Sequence, residues 1–240
     1  MERIPSVKEP EKFVKSAFAE EEFVRIRSDE RFEVCMQYPL QRMKNAEEEC
    51  FLRKEVYERL LAAAKELPGG YRIKILDAWR PFALQKELYE VYSGGILSKF
   101  RLESASEEEQ SACIRKFVSE PLPDRDLPPV HTTGGAVDIT LLDDHGRELD
   151  MGTDFDAFAE ETHTAYFENL SSGEEKDETM CLIRDNRRLL YHTMIRAGFT
   201  NLPSEWWHFD YGDRFWAYYR KQPAIYRGVF TKEELRSADE

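Results

Sequence analysis

From His131 to Leu141 the chain reads His-Thr-Thr-Gly-Gly-Ala-Val-Asp-Ile-Thr-Leu, and no other stretch limits the fold as tightly. Val137, Ile139 and Leu141 alternate with Asp138 and Thr140, the period-two pattern of a strand with an apolar inward face and a polar opposite face. In an ideal strand residues seven apart point to opposite faces, so His131 and Asp138 can reach one point only if the chain turns between them. Gly134 and Gly135 permit that turn. The pattern calls for a sheet whose polar face borders a cleft.

The flanking sequence supplies the remaining layers. Residues 1 to about 30 mix charges with Phe13, Phe18, Phe23 and Val24 and are expected to strap the domain. From Cys50, the residues Leu52, Val56, Leu60, Ala64 and Leu67 form a helical stripe, which Pro68-Gly69-Gly70 ends. Tyr71, Ile73 and Ile75 alternate as a half-buried strand running into Asp77-Ala78-Trp79-Arg80-Pro81, which puts Arg80 at a strand end. Pro81 suits a first helical turn, and Leu84, Leu88 and Val91 continue a helix to Gly94-Gly95. Another helix is predicted over Ser106 to Val118, with Ser106 and Glu109 in capping-box spacing, followed by a proline-rich loop from Pro121 to Pro129.

Beyond the central strand, Asp143-Asp144-His145-Gly146 reads as a turn, and Thr153-Asp154-Phe155-Asp156 as an acidic helix start. Residues 171–178 are a solvated loop. A long helix follows from about Glu178 with Ile183, Leu190 and Met194 on its apolar side, closed by Gly198, and Phe199 to Asn201 reads as a short strand. Phe215, Trp216, Tyr218 and Tyr219 are read as core cover. With no internal repeat, heptad run or low-complexity linker, 240 residues make one α+β domain, a small, mainly antiparallel sheet flanked by helices.

A net charge of -13 sets the chain against nucleic acid or an anionic membrane surface as its main partner. A small or cationic ligand remains compatible, and oligomeric state is open. The first residues carry charges at Glu2, Arg3, Lys8, Glu9, Glu11, Lys12 and Lys15 with no apolar run, so the expected address is the cytoplasm. Cys35, Cys50, Cys113 and Cys181 are too far apart for a thiolate zinc site and are read as reduced. Cys50 and Cys113 fall in helix-like stretches, as small apolar residues.

The second chemical stretch is Ser204-Glu205-Trp206-Trp207-His208-Phe209. Zinc in hydrolases takes three ligands from His, Asp or Glu and leaves the fourth position to water, whose pKa falls toward about 7. His131, Asp138 and His208 fill those three places, although each histidine alone is more often a hydrogen-bonded structural residue. Glu205 and His208 would face opposite ways in a regular strand, so Pro203-Ser204 is expected to turn the chain and bring both to one cleft. A carboxylate beside the metal is the usual general base, and Trp206 or Trp207 would raise its pKa; the bland alternative is a surface Glu. Arg80 suits an oxyanion donor, the alternative being an ion pair with Asp77.

Four blocks, Asp77-Ala78-Trp79-Arg80-Pro81, His131 to Asp138, Met151-Gly152-Thr153-Asp154-Phe155-Asp156 and Glu205-Trp206-Trp207-His208, together resemble the zinc D-alanyl-D-alanine dipeptidases of the vancomycin-resistance type. The resemblance implies one zinc on His131, Asp138 and His208, Glu205 as general base and acid, Arg80 as transition-state stabiliser, and Asp156 binding the free amino group of a dipeptide. It departs at Pro129, where better-known members carry a Ser two residues before the first zinc His, and so any contact through that hydroxyl is lost. His163 follows the Asp156 block as a His does in the family, with no role assigned. The rival expectations are a D,D-carboxypeptidase acting on cell-wall precursors and a non-catalytic zinc-binding domain, the latter opposed by Glu205 and Arg80, which a structural zinc does not need.

Overall fold

The computed structural model describes residues 1–10, 15–171, 173 and 177–235. Phe13 and half of the 171–178 loop, namely Ser172, Glu174, Glu175 and Lys176, lie outside the described residues. The N-terminal strap is anchored by buried Ile4 and by the hydroxyl of Tyr219, which donates to the carbonyl of Lys8 (2.8 Å). Strand β1 (Phe23–Ile26) pairs antiparallel with β3 (Cys50–Arg53) as a separate ribbon. Between them lie β2 (Phe32–Val34) and the one-turn helix α1 (Gln37–Leu40).

The central sheet has the order β2-β4-β5-β7-β6, where β4 is Arg72–Asp77, β5 is Ala136–Leu142, β6 is Thr200–Asn201 and β7 is His208–Asp210. Only the β2–β4 pair is parallel. The expected α+β class with a mainly antiparallel sheet is therefore what the chain forms. On one face Ile73, Ile75, Val137, Ile139, Leu141 and Phe209 pack against Val56, Leu60 and Ala63 of helix α2 (Lys54–Glu66) and Leu190 and Met194 of helix α5 (Glu178–Arg196). Each such side chain contributes about 1.5–3 kcal/mol on full burial, so this face fixes the register of the whole sheet.

Register then aligns the opposite face. Asp138 of β5 lies opposite His208 of β7 and opposite Asp77 of β4. A shift between Ile75 and Asp77 makes the second pairing possible: with regular pairing Leu76 would stand there. Helix α3 (Phe82–Phe100), a loop from residue 115 to 129 and helix α6 (Arg214–Arg220) cover this polar face.

Several boundaries differ from expectation. Cys50 and Leu52 belong to β3 and not to a helix; α2 begins at Lys54, because the backbone of Cys50–Arg53 is committed to β1. Helix α3 runs through Gly94-Gly95 to Phe100, since Ile96 beyond them is fully buried against Ile114 and Val118, while glycine in a helix costs only about 1 kcal/mol. Val91, expected on the apolar side, is 53% exposed. Helix α4 (Glu107–Ile114) has the expected capping box of Ser106 and Glu109 but stops at Ile114, short of Val118. No helix starts at residues 153–156; Asp156 sits in an irregular loop with left-handed backbone (φ 58°). Among the described residues no helix is long and apolar enough to cross a membrane, and the cysteines form no disulfide.

Candidate metal centre and catalytic cleft

His131 comes from a 3-10 turn over Val130–Thr133 that Gly134 closes in a left-handed conformation (φ 72°). A side chain at Gly134 would collide with the ring of Phe23, a Cβ standing 2.2 Å from its Cε1, so both backbone freedom and space require glycine. The turn carries His131 back over the start of β5. Its Nε2 lies 3.1 Å from His208 Nδ1 and 3.4 Å from Asp138 Oδ2, and His208 Nδ1 lies 3.0 Å from Asp138 Oδ1. Two buried imidazoles and one buried carboxylate thus form a triangle of groups whose closest donor approaches, made through different oxygens of Asp138, are 3.0–3.4 Å. A tetrahedral ion with ligands at about 2.0–2.1 Å needs donors about 3.3 Å apart, so the triangle has the size for zinc.

The outer nitrogens support the same fit. His131 Nδ1 donates to the carbonyl of Ala78 (2.8 Å), and His208 Nε2 donates to Asp210 Oδ1 (2.7 Å). With those protons placed outward, two imidazole lone pairs face each other across 3.1 Å beside a carboxylate, an arrangement that a cation stabilises and its lack would not. Although burial opposes its charge, Asp138 is held well below the usual carboxylate range by His131 and His208. Burial likewise opposes charge on His208, but Asp210 and Asp138 hold its basicity well above an ordinary imidazole's.

Glu205 stands before β7 on a turn in which its N–H donates to the carbonyl of Leu202 (3.1 Å) and its own carbonyl accepts from His208 (3.3 Å). The expected turn thus brings it to the cleft, with Oε2 3.8 Å from His208 Nδ1. Burial, assisted by the charges of Asp138 and Asp156 and opposed by His208 and Arg80, raises its pKa to about 8. Arg80 leaves the end of β4 and pairs with Asp77 at 2.8 Å while lying 3.5 Å from Asp138 Oδ2. The ion pair with Asp77 is formed: burial would lower the pKa of Arg80, yet Asp77 keeps it firmly cationic at the wall of the cleft, where an oxyanion donor would have to stand.

Asp156 reaches the same cleft. Tyr38 and Tyr92 both donate to its Oδ2, at 2.8 and 3.0 Å, which leaves Oδ1 for a ligand. The six site residues expected from sequence all line one inner cavity of about 50 Å³. His163 is exposed, its Nδ1 donating to the carbonyl of Glu160 (2.9 Å). Tyr38, Tyr92 and Asp210 were not expected. Asp210 carried a signal, since it shares a strand face with His208 two residues earlier; the tyrosines, 118 and 64 residues from Asp156, carried none.

The family model described as D-ala-D-ala dipeptidase, of the M15 peptidases, matches residues 34–226. A D-alanyl-D-alanine dipeptidase of Synechocystis sp. is 30% identical over 180 residues, 71% of this chain and 73% of the relative. One from Escherichia coli (strain K12) is 40% identical over 80 residues, 33% of this chain and 36% of the relative. The solved structure of VanYB in complex with D-Alanine-D-Alanine overlaps with a TM-score of 0.39 at 15% identity, over 75% of this chain and 84% of that one. A vancomycin resistance D,D-pentapeptidase VanY in complex with Zn(II) overlaps at 0.38 and 16%, over 83% and 91%.

Proposed function

The chain belongs to the D-Ala-D-Ala dipeptidase family of M15 peptidases, and from that premise we propose that it is a zinc metallopeptidase hydrolysing D-Ala-D-Ala or a related D-dipeptide with a free amino terminus. His131, Asp138 and His208 would hold the ion. When bound, zinc supplies Lewis acidity and lowers the pKa of water toward about 7.

The remaining chemistry falls to the chain's own side chains. Glu205 accepts the proton of the attacking water and returns it to the leaving amine, a role suited to a carboxyl whose pKa lies near neutrality. Arg80, locked by Asp77, presents a fixed positive charge where the carbonyl oxygen becomes an oxyanion. Asp156 holds the substrate ammonium through the oxygen its tyrosines leave open, a charge-assisted bond that fixes the length of the substrate. That open carboxylate oxygen is the observation that favours a dipeptidase over a carboxypeptidase, whose substrate nitrogen is acylated and uncharged.

We read the chain as one catalytic unit, since the family match spans residues 34–226 and the strap packs onto Tyr219. A reducing, cytoplasmic address fits cysteines that form no disulfide.

The test is metal analysis of the purified protein with assays on D-Ala-D-Ala, L-Ala-L-Ala and N-acetyl-D-Ala-D-Ala. Leaving a desolvated carboxylate unpaired costs about 2–5 kcal/mol, so the acetylated substrate is expected to be roughly thirty to several thousand fold poorer. Comparable cleavage of free and acetylated D-Ala-D-Ala would make the protein a carboxypeptidase. Near-stoichiometric zinc without cleavage of any substrate would make it a binding domain.

A further inference from the structure

Two cavities meet at Asp156 and Glu205, which line both. The inner one, about 50 Å³, is closed by Arg80 and the three candidate metal ligands and has room for about four waters. The outer one measures about 860 Å³, within the range of sites for drug-sized ligands and far larger than the methyl side chains of D-Ala-D-Ala require. Its wall is aromatic: Phe117 stacks on Phe100 with centroids 5.2 Å apart and meets Phe158 edge-on at 5.7 Å. Leu122 and Leu127 extend this wall toward the rim, where they are 41% and 37% exposed. Clustered exposed apolar side chains in a concavity mark a binding surface. Charges on the lining are of both signs, with Lys99 and Arg115 against Glu120 and Glu160, so no single ionic side chain is favoured.

We propose that the outer cavity is the subsite for the side chain of the substrate's amino-terminal residue, and that it takes a bulky apolar or aromatic D-side chain. The proposal rests on the dipeptidase reading above. The α-carbon of that residue carries three groups whose directions the site separates. Its ammonium is held at the junction by Asp156, and its carbonyl must turn inward to meet Arg80 and the metal ligands. The side chain is left with the outward direction, onto Phe117 and Phe158. Full burial of an aromatic side chain there favours such a substrate by roughly ten- to a hundredfold. Binding of this kind is equal in ground and transition states, so it raises kcat/KM chiefly through KM.

The experiment compares kcat/KM for D-Phe-D-Ala, D-Ala-D-Ala and N-acetyl-D-Phe-D-Ala on the parent, Leu122→Glu and Leu127→Glu. Both leucines are on the rim, outside the inner cavity. D-Phe-D-Ala is expected to be preferred by at least about tenfold, with the preference falling toward unity in both variants while D-Ala-D-Ala stays within about twofold. Calorimetric titration of the Glu205→Gln protein supplies a readout free of turnover: D-Phe-D-Ala should bind tighter by a similar factor, with a more negative heat capacity change. Cleavage of D-Ala-D-Ala with no gain for D-Phe-D-Ala in rate or affinity overturns the subsite alone. Preference for the N-acetylated peptide overturns it in favour of a channel for a longer acyl chain. Failure to bind or cleave either free dipeptide removes the dipeptidase reading, and the subsite with it.

Discussion

Burial drives the carboxyl of Asp156 up to about 6; Asp138 adds to the push, and Arg80 with the hydroxyls of Tyr38 and Tyr92 pulls back. A raised acid binds its proton more tightly in the folded than in the unfolded chain. Its contribution to stability is therefore present below the ordinary value of 3.8 and lost as pH rises through about 6. At about 1.4 kcal/mol per tenfold, this residue disfavours the metal-free fold by about 3 kcal/mol at neutral pH. Asparagine fits the same pocket and tolerates the same left-handed backbone. In chelator-treated protein, Asp156→Asn should raise Tm by several degrees at pH 7.5 and by almost nothing at pH 4, while harming cleavage of the free dipeptide. A Tm gain that is the same at both pH values would mean that the charge of Asp156 is not what the fold resists. Glu205→Gln should retain zinc and lose about a hundred to ten thousand fold in turnover; turnover within a few fold of the parent makes Glu205 a bystander.

At the scale of elements, Arg187 ties α5 to the loop bearing Asp156. It is 1% exposed, and its guanidinium donates to the carbonyls of Met151 (2.7 Å), His163 (2.8 Å) and Glu161 (2.7 Å). Arg187→Met should cost several kcal/mol, since each stranded carbonyl carries a penalty of about 1–3 kcal/mol. It should also raise KM for the dipeptide more than it lowers kcat, by loosening the loop. A chemical denaturation curve with an unchanged midpoint would deny Arg187 this role. Sequence pointed to it without identifying it: position 187 falls in the stripe Ile183, Leu190, Met194, where a charged residue must find buried partners. Strands β4 and β5 were legible because each is long enough for packing on the core to impose period two, whereas β1, β2 and β3, at three or four residues, are too short to show it. The start of α2 was not, because Leu52 in β3 precedes Val56 by one helical spacing and the apolar rhythm crosses the junction unbroken. The irregular path of residues 151–163 is set by side-chain and backbone contacts to α5, which local pattern does not encode.

Across the whole molecule, the convergence of His131, Asp138, Glu205 and His208 was legible because they sit beside glycine and proline turns with few alternative geometries. Tyr38 and Tyr92 were not, since only tertiary packing brings them to Asp156. The candidate ligand triangle joins positions 77 residues apart, so an ion bound there would work as a cross-link between the two halves of the sheet. At a free zinc concentration a thousand times the dissociation constant it would add about 4 kcal/mol to stability, and chelation should lower Tm by roughly 8–16 °C. A Tm unmoved by chelator in protein shown to lose its metal would mean that the triangle is held without it. On the β7 side, one ligand stands on a three-residue strand whose outer neighbour, β6, has only two residues. Detachment of that short ribbon would carry off His208 and Glu205 together, since both precede or begin β7. On the proposed reading, the lifetime of an ion bound there would follow how often the ribbon frays, and a molecule that shed its metal would lose its proposed proton acceptor in the same event.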